Sequence, residues 1–389
     1  MADTNTATST SRVLIILAAC NFVVGMSAFM LVGLITPLSD GLSISTSRAG
    51  ATLTVYALSY AVFSPLLVSA SGGMGRRRLL ALGLSVLAIA NVIAALAPNE
   101  AWVWGSRLLA AAGAGVVTPI AAAIAASLSA PENRGKALAG VFMGVTLAQV
   151  IGVPAGSWLG YTFGWRAAFW AVAVLALPMI ALVWSRIPKG LPFQVVGLSD
   201  LGRLLINGPA MLAVLYTSTF LGAIFLLYTY LAPLLTETMG FGRDGVSFSL
   251  VIFGLGAVFG GLLGGVLTDR FGALRVLYGL CIVQAAVMPL FGLLPLGLPI
   301  FFMLLFFWSI MGWSFGAAQQ VRLLALAPEQ ASVILAMNAA AIYVGSALGA
   351  ALGGGVLNVA SPSYLGPIAG LGAFMALGHL WVSTRVSRR

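Results

Sequence analysis

Charged side chains are scarce in this 389-residue chain: Asp, Glu, Lys and Arg make up 7% of it against 60% apolar residues, and mean hydropathy is +1.06. A soluble globular domain carries about 25% charge, so a soluble fold is excluded. Histidine occurs once, as His379, and cysteine twice, as Cys20 and Cys281, both inside apolar runs. They are too few for a metal cluster or a disulfide framework, so no metal and no cofactor is expected, and the cysteines read as buried thiols. All nine acids, Asp3, Asp40, Glu100, Glu132, Asp200, Glu237, Asp244, Asp269 and Glu329, fall in the N-terminal tail, in loops or at the ends of apolar runs. One histidine and no mid-membrane carboxylate leave an intramembrane enzyme nothing to build from. There is no Gly-x-x-x-x-Gly-Lys-Ser/Thr loop for ATP-driven work either. The net charge of +10 and the pI near 10.2 come from Lys and Arg spread between apolar runs, not gathered on one face, which argues against nucleic acid as a partner.

What is abundant is long apolar sequence. A bilayer-crossing helix needs roughly 20 mainly apolar residues, and twelve stretches qualify: 13–38, 49–71, 79–97, 101–127, 137–160, 167–187, 208–236, 246–268, 272–294, 299–321, 331–358 and 364–384. The alternating short strands of a membrane β-barrel are absent. The first run is too long, and followed by too many others, to be a cleavable signal, and residues 1–12 read as a polar, disordered tail. The expected fold is therefore all-α and polytopic, with twelve transmembrane helices. Placing both termini inside puts fifteen Lys and Arg in the cytoplasmic loops and tails, among them Arg76, Arg77, Arg78, Arg134, Lys136, Arg270, Arg275 and Arg322, against three outside, Arg48, Arg166 and Arg243. By the positive-inside rule both termini are cytoplasmic, and the basic loops are attracted to anionic membrane lipid.

The longest polar connection, 188–207, separates six spans from six and reads as a cytoplasmic linker between bundles at 13–187 and 208–389. Landmarks recur across it at a constant spacing of 197 residues: Gly75 with Gly272, Ala130-Pro131-Glu132 with Ala327-Pro328-Glu329, and Gly152 and Gly156 with Gly349 and Gly353. One spacing serving several landmarks marks a duplication. Two six-helix bundles in parallel repeat, with a solute site between them near mid-membrane, is a transporter architecture.

The run Gly265-Val266-Leu267-Thr268-Asp269-Arg270-Phe271-Gly272, with Arg275 beyond it, resembles the loop signature of the major facilitator superfamily, and Gly75-Arg76-Arg77-Arg78 resembles the tail of the same signature in the first half. Gly152-Val153-Pro154-Ala155-Gly156 is similar to that superfamily's antiporter motif, and Arg107 in span 4 to its intramembrane arginine. Gly164-Trp165-Arg166-Ala167-Ala168-Phe169-Trp170 and Tyr230-Leu231-Ala232-Pro233-Leu234-Leu235 resemble the drug:proton antiporter branch, especially its arabinose-efflux-like and chloramphenicol-exporter-like members. The resemblance implies the major facilitator fold and export of a small molecule by alternating access, driven by protons. It assigns gating to Asp269, Arg270, Gly272, Arg275, Gly75, Arg76, Arg77, Arg134, Gly152, Pro154 and Gly156, with Asp269 facing the start of span 5 near Arg134 and Lys136. The chain departs from the pattern at Gly72 and Gly73, where the first loop's Asp-Arg pair would stand, at Ala273 and Leu274, and at Ala28, where related exporters often carry glutamate.

Each candidate residue has a structural reading beside the functional one. A charge at a helix centre costs about 2.5–3.5 kcal/mol on insertion scales; Arg107 either lines a cavity or snorkels to the outer interface. Asn21, Ala28 and Phe29 on span 1, Phe220 and Tyr228 on span 7, and Trp308, Phe315 and Gln319 on span 10 form stripes that contact solute or pack helices. Gln149 and Asn338 either reach the cavity or join helices by hydrogen bonds. Gly152, Pro154 and Gly156 bend span 5 or form a packing notch. Asp40, at the outer end of span 1, couples protons with Arg107 or only solvates its loop. The expected function is a monomeric inner-membrane exporter of a drug, sugar or similar amphipathic small-molecule solute, coupled to protons. The alternative is a facilitative carrier or importer without coupling.

Overall fold

The computed structural model describes residues 2–71, 73–130, 133–190 and 198–387, so Gly72, Pro131, Glu132, Arg388 and Arg389 lie outside the described residues. Among the described residues, twelve helices are long and apolar enough to cross a membrane. Spans 1–6 are Ser11–Phe29, Thr46–Ala70, Arg76–Ala95, Glu100–Leu128, Arg134–Phe163 and Trp165–Arg186. Spans 7–12 are Gly208–Met239, Arg243–Phe271, Ala273–Leu293, Leu298–Leu326, Val333–Val359 and Pro362–Val386. Each expected run has its helix, with ends moved by a few residues. Capping fixes several starts: Ser45, Asn99 and Asn207 each accept from a backbone N–H three residues on, and Pro209 sits in the first turn of span 7.

Three expectations change. The first helix, Ala2–Phe29, begins inside the segment expected as a disordered tail, because no Gly or Pro interrupts it before Gly25; a second helix, Leu31–Leu42, then completes the crossing. Span 10 continues to Leu326, which takes Arg322 out of the loop and into the helix. The linker contains a nine-residue helix, Leu198–Ile206, whose Leu204 is buried with Leu323 and Val333 of the second bundle; Gln194 and the rest of 191–197 lie outside the described residues.

Two helices change geometry in mid-span. Span 7 breaks at Thr229 and Tyr230, where Pro233 can neither donate to the Thr229 carbonyl nor avoid it. Span 5 widens into one π-turn over Ala148–Gly152, just before Pro154. Such turns occur often at functional sites.

The duplication is visible in the packing. Span 5 presents a small residue every fourth position to span 1. A Cβ added at Gly152 would stand 3.2 Å from that of Met26, and one at Gly156 would stand 2.9 Å from that of Met30. Gly345, Gly349 and Gly353 of span 11 seat span 7 in the same way: added Cβ atoms there would lie 2.7 Å from the Ser218 carbonyl, 2.8 Å from the Leu226 amide and 2.7 Å from the Leu226 carbonyl. Ala148, Gly152 and Gly156 are related to these three by the same spacing of 197 residues. Backbones brought this close gain dispersion energy that lipid cannot supply.

Spans 1–6 pack among themselves and so do spans 7–12. The two bundles meet where span 2 runs along span 11, span 5 along span 8, and Leu31–Leu42 along the end of span 7. Thr54 donates to the Ala347 carbonyl at 3.5 Å, Tyr60 stacks on Tyr343 at 3.7 Å, and Gly254 of span 8 lies against the Gln149 and Val150 backbone. At the face away from the termini, Arg243 donates to Thr162 at 3.4 Å and lies over Trp158. These junctions lie at mid-span and toward the face away from the termini, where a cavity of about 580 Å³ opens between the bundles, lined by Ser45, Ser47, Glu237 and Asn358.

Candidate functional site

The deepest junction between the bundles is built on the π-turn of span 5. The wider turn places Gln149 on the second bundle, where its Oε1 accepts from the Tyr228 hydroxyl at 3.1 Å. Tyr228 in turn stacks on Phe253 at 4.1 Å, Phe253 packs on Trp308 at 5.1 Å, and Phe225 joins Tyr228 to Phe29 of the first bundle. All of these side chains are buried. Within this aromatic nest Gln149 Nε2 and Trp308 Nε1 have no hydrogen-bond partner. A buried donor left without an acceptor costs about 1–3 kcal/mol. Of the sequence candidates, Phe29, Gln149 and Tyr228 meet at this junction, while Trp308 stands behind Phe253 inside the second bundle, packed also on Phe291 at 5.0 Å. Phe253 was missed, because one phenylalanine in an apolar span carries no distinguishing pattern.

Phe220, Phe315, Gln319 and Asn338 form a separate cluster inside the second bundle, nearer the termini. Phe220 stacks on Phe315 at 4.6 Å. Gln319 donates to the Ala213 carbonyl at 2.7 Å and to Thr217 at 3.0 Å, and Thr217 donates to Asn338 at 2.5 Å. Here the packing reading describes what the side chains do: they tie spans 7, 10 and 11 together. Asn21 and Ala28 are also buried, Asn21 donating to the Leu17 carbonyl of its own helix.

Arg107 is fully buried in the first bundle and does not snorkel. Its guanidinium donates to the Ser27 carbonyl and to Asn91 Oδ1, each at 3.2 Å, and lies 4.8 Å from the Phe169 ring. Every partner is neutral, and its Nε has none. Asn91 and Ser27 also bond each other, and neither stood out in the sequence among many small polar residues. Asp40 is exposed at the distal end of Leu31–Leu42 and is not brought to Arg107.

The gating candidates separate by position. Gly152 and Gly156 face span 1 of their own bundle, with Pro154 buried between them, and Asp269, Arg270, Arg275 and Arg134 are all exposed. The two ion pairs among the described residues are Arg48–Glu100 and Arg243–Asp244, so the expected contact of Asp269 with Arg134 and Lys136 is not formed in this structure. Gly272 joins spans 8 and 9 at φ +81°, a conformation that suits glycine, whereas Gly75 has an ordinary φ of −59°. Arg76 clamps span 3 to span 4 through the Ala123 carbonyl and Ser127, and Arg77 bonds the Trp184 carbonyl of span 6.

The model of the Major Facilitator Superfamily matches residues 17–350. The chain belongs to that superfamily. Major facilitator relatives include the uncharacterized MFS-type transporter YbcL of Bacillus subtilis, 31% identical over 93% of each chain, and the inner membrane transport protein YdhP of Escherichia coli, 30% identical over 96% of each. A chloramphenicol resistance protein of Streptomyces lividans is 30% identical over 94% of each chain. Among solved major facilitator structures, the nucleoside transporter NupG shares the fold with a TM-score of 0.76 at 15% identity, covering 96% of this chain and 99% of that one. An inward-facing bacterial homologue of the human lysosomal transporter Spinster gives 0.73 at 18% identity over 97% of each. The protein is thus an integral membrane transporter of the major facilitator fold. Two of its family-like runs have structural work at the distal face. Tyr230 donates to the Ala350 carbonyl at 2.9 Å and lies against Gly50 of span 2, while Arg166 closes the end of span 3 through the Ala97 carbonyl at 2.8 Å.

Proposed function

We propose that this protein is a monomeric secondary transporter of the bacterial inner membrane, both termini cytoplasmic, that exports a small uncharged amphipathic solute by alternating access. The observation that carries this reading is the two unpartnered buried donors, Gln149 Nε2 at the junction of the bundles and Trp308 Nε1 behind Phe253. A solute with carbonyl, nitro or hydroxyl oxygens satisfies the donors, and its apolar part is covered by Tyr228, Phe253 and Phe29. None of the described acidic side chains is in the nest, so a cationic solute finds no counter-charge there. The orientation rests on the fifteen-to-three bias of Lys and Arg. It makes the face that carries the termini cytoplasmic, where an exporter loads. The outward direction rests on the resemblance to drug exporters and on the relative named for chloramphenicol resistance.

Proton exchange as the driving force has the same support. The geometry favours a second reading, facilitative transport without protons: Arg107 has only neutral partners, and Asp40 and Asp269 are exposed at opposite rims. One experiment tests both. Purified protein in liposomes is assayed for counterflow with phenicols, nucleosides and sugars, then for uphill movement under an imposed pH gradient. Counterflow of a neutral amphipathic solute is expected, and none with any of the panel would overturn the solute class. Uphill movement that is lost in Asp40→Asn while downhill exchange survives would assign coupling to Asp40. Movement that survives the substitution removes that residue, and no response to the gradient establishes the facilitator.

A further inference from the structure

Beyond the solute path, Arg322 has no role in the transport reading and, among the described residues, no carboxylate partner. It is 5% exposed, its Nη2 donates to Ser383 of span 12 at 2.8 Å, its Cζ lies 5.5 Å from the Tyr216 ring, and its Nη1 has no acceptor. A buried charge without a counter-charge is expensive, which asks what neutralises it. Arg322 lines a cavity of about 530 Å³ that opens on the face carrying the termini, between the ends of spans 9, 10 and 12. The first turn of the helix Ala273–Val287 borders the same cavity, and no side chain caps it; its leading N–H groups and dipole favour an anion. Exposed Arg275 and the hydroxyl side chains of Thr384 and Ser387 complete the polar wall, while Phe271 and Val321, 47% and 49% exposed, make an apolar one.

The first bundle has a counterpart. A cavity of about 340 Å³ is lined by Gly75, Arg77, Arg78, Trp184 and Lys189, and Gly75 and Arg78 stand 197 residues before Gly272 and Arg275. Trp184 and Trp381 are related by the same spacing, are half exposed, and each carries an arginine on its ring, Arg77 at 4.7 Å and Arg385 at 3.8 Å. Tryptophan at this level marks the membrane interface.

We propose that the cavity of the second bundle is a binding site for a phosphate-bearing anion, with Arg322 and Arg275 as the cationic arms and the start of the Ala273–Val287 helix as the third contact. The phosphodiester headgroup of an acidic phospholipid and free phosphate share this chemistry. The full chain is purified in detergent with Arg77, Arg78 and Lys189 replaced by Gln, so that the counterpart cavity does not contribute. Native mass spectrometry then measures retention of dioleoyl phosphatidylglycerol and of dioleoyl phosphatidylcholine, and thermal shift measures the response to inorganic phosphate. Retention of phosphatidylglycerol over phosphatidylcholine, at least fivefold weaker in Arg275→Gln and at least tenfold weaker in Arg322→Gln, supports the site with lipid as its source. Stabilisation by millimolar phosphate that Arg275→Gln removes, without a lipid adduct, supports it with a soluble source. Equal retention of both lipids, or retention and phosphate response unchanged in Arg275→Gln, overturns it. Because Arg275 is exposed, that arm decides the matter even where Arg322→Gln fails to fold.

Discussion

Replacing Tyr228 with Phe removes one hydroxyl from the seam and leaves the ring free to stack on Phe253 at 4.1 Å. The lost hydrogen bond, 3.1 Å long to Gln149, joins the two bundles in this structure. A net hydrogen bond is worth about 0.5–1.5 kcal/mol, and an acceptor left unsatisfied in a buried site costs about 1–3 kcal/mol. In the opposite state the bundles separate along this seam and Gln149 gains access to water or solute, so the penalty falls on the present state alone. A shift of about 1–3 kcal/mol is roughly a 5- to 150-fold change in the equilibrium, at about 1.4 kcal/mol per factor of ten. The readout is a cysteine in place of Ser47, which lies beside Gly354, half-buried in the distal cavity between the bundles; Cys20 and Cys281 are buried and do not compete. Its modification by a membrane-impermeant maleimide from the distal side is expected to be at least fivefold faster in Tyr228→Phe. An unchanged or slower rate, in protein of normal thermal stability, would refute the idea that this bond holds the bundles together.

Three further outcomes are expected. In Gly254→Ala the new Cβ stands 2.6 Å from the Gln149 carbonyl and the Val150 Cα; overpacking of this kind costs about 1–3 kcal/mol, so transport falls and labelling of Ser47→Cys rises, whereas normal transport would mean that the seam yields. Arg107→Leu removes a buried cation without stranding a carboxylate, and Ser27 and Asn91 still bond each other; the melting temperature should stay within a few degrees of the parent while transport is lost, and the reverse pattern would make Arg107 purely structural. Asp269 is exposed, and the proposed latch to Arg134 and Lys136 would form when the face carrying the termini closes, so Asp269→Asn should slow labelling of Ser47→Cys by favouring the present form. No change in that rate removes the latch.

The spans and the duplication were legible because both depend on spacing alone: twenty apolar residues cross a bilayer whatever faces what, and the Gly152, Gly156, Gly349 and Gly353 landmarks recur in the packing. The faces were not legible. In a chain with 60% apolar residues, the lipid side and the core side of a helix look alike and the amphipathic signal of a soluble helix vanishes. The stripe on spans 7 and 10 therefore ran together in the sequence, while the structure divides it between the seam, with Tyr228 and with Trp308 behind Phe253, and an internal tie, with Phe220, Phe315 and Gln319. The π-turn that aims Gln149 has no signature beyond the nearby proline. Arg322 was assigned to a loop because a charge next to an apolar run reads as its end, whereas the helix runs on through Leu323 to Leu326 and stops before Pro328.

If Gln149 and Trp308 hold the solute, equilibrium exchange of a solute that the parent transports must weaken in Gln149→Leu and Trp308→Phe liposomes. Trp308→Phe removes one N–H donor; Gln149→Leu removes the amide NH2 together with the oxygen that accepts from Tyr228, so its result is read beside that of Tyr228→Phe, which loses only that bond. Loss of a single hydrogen bond to a neutral solute at about 1 kcal/mol predicts roughly fivefold weaker half-saturation in either variant, and a larger loss in the double variant. Half-saturation and rate unchanged in both, with the proteins inserted at parental levels, would contradict the claim and move the solute away from this seam.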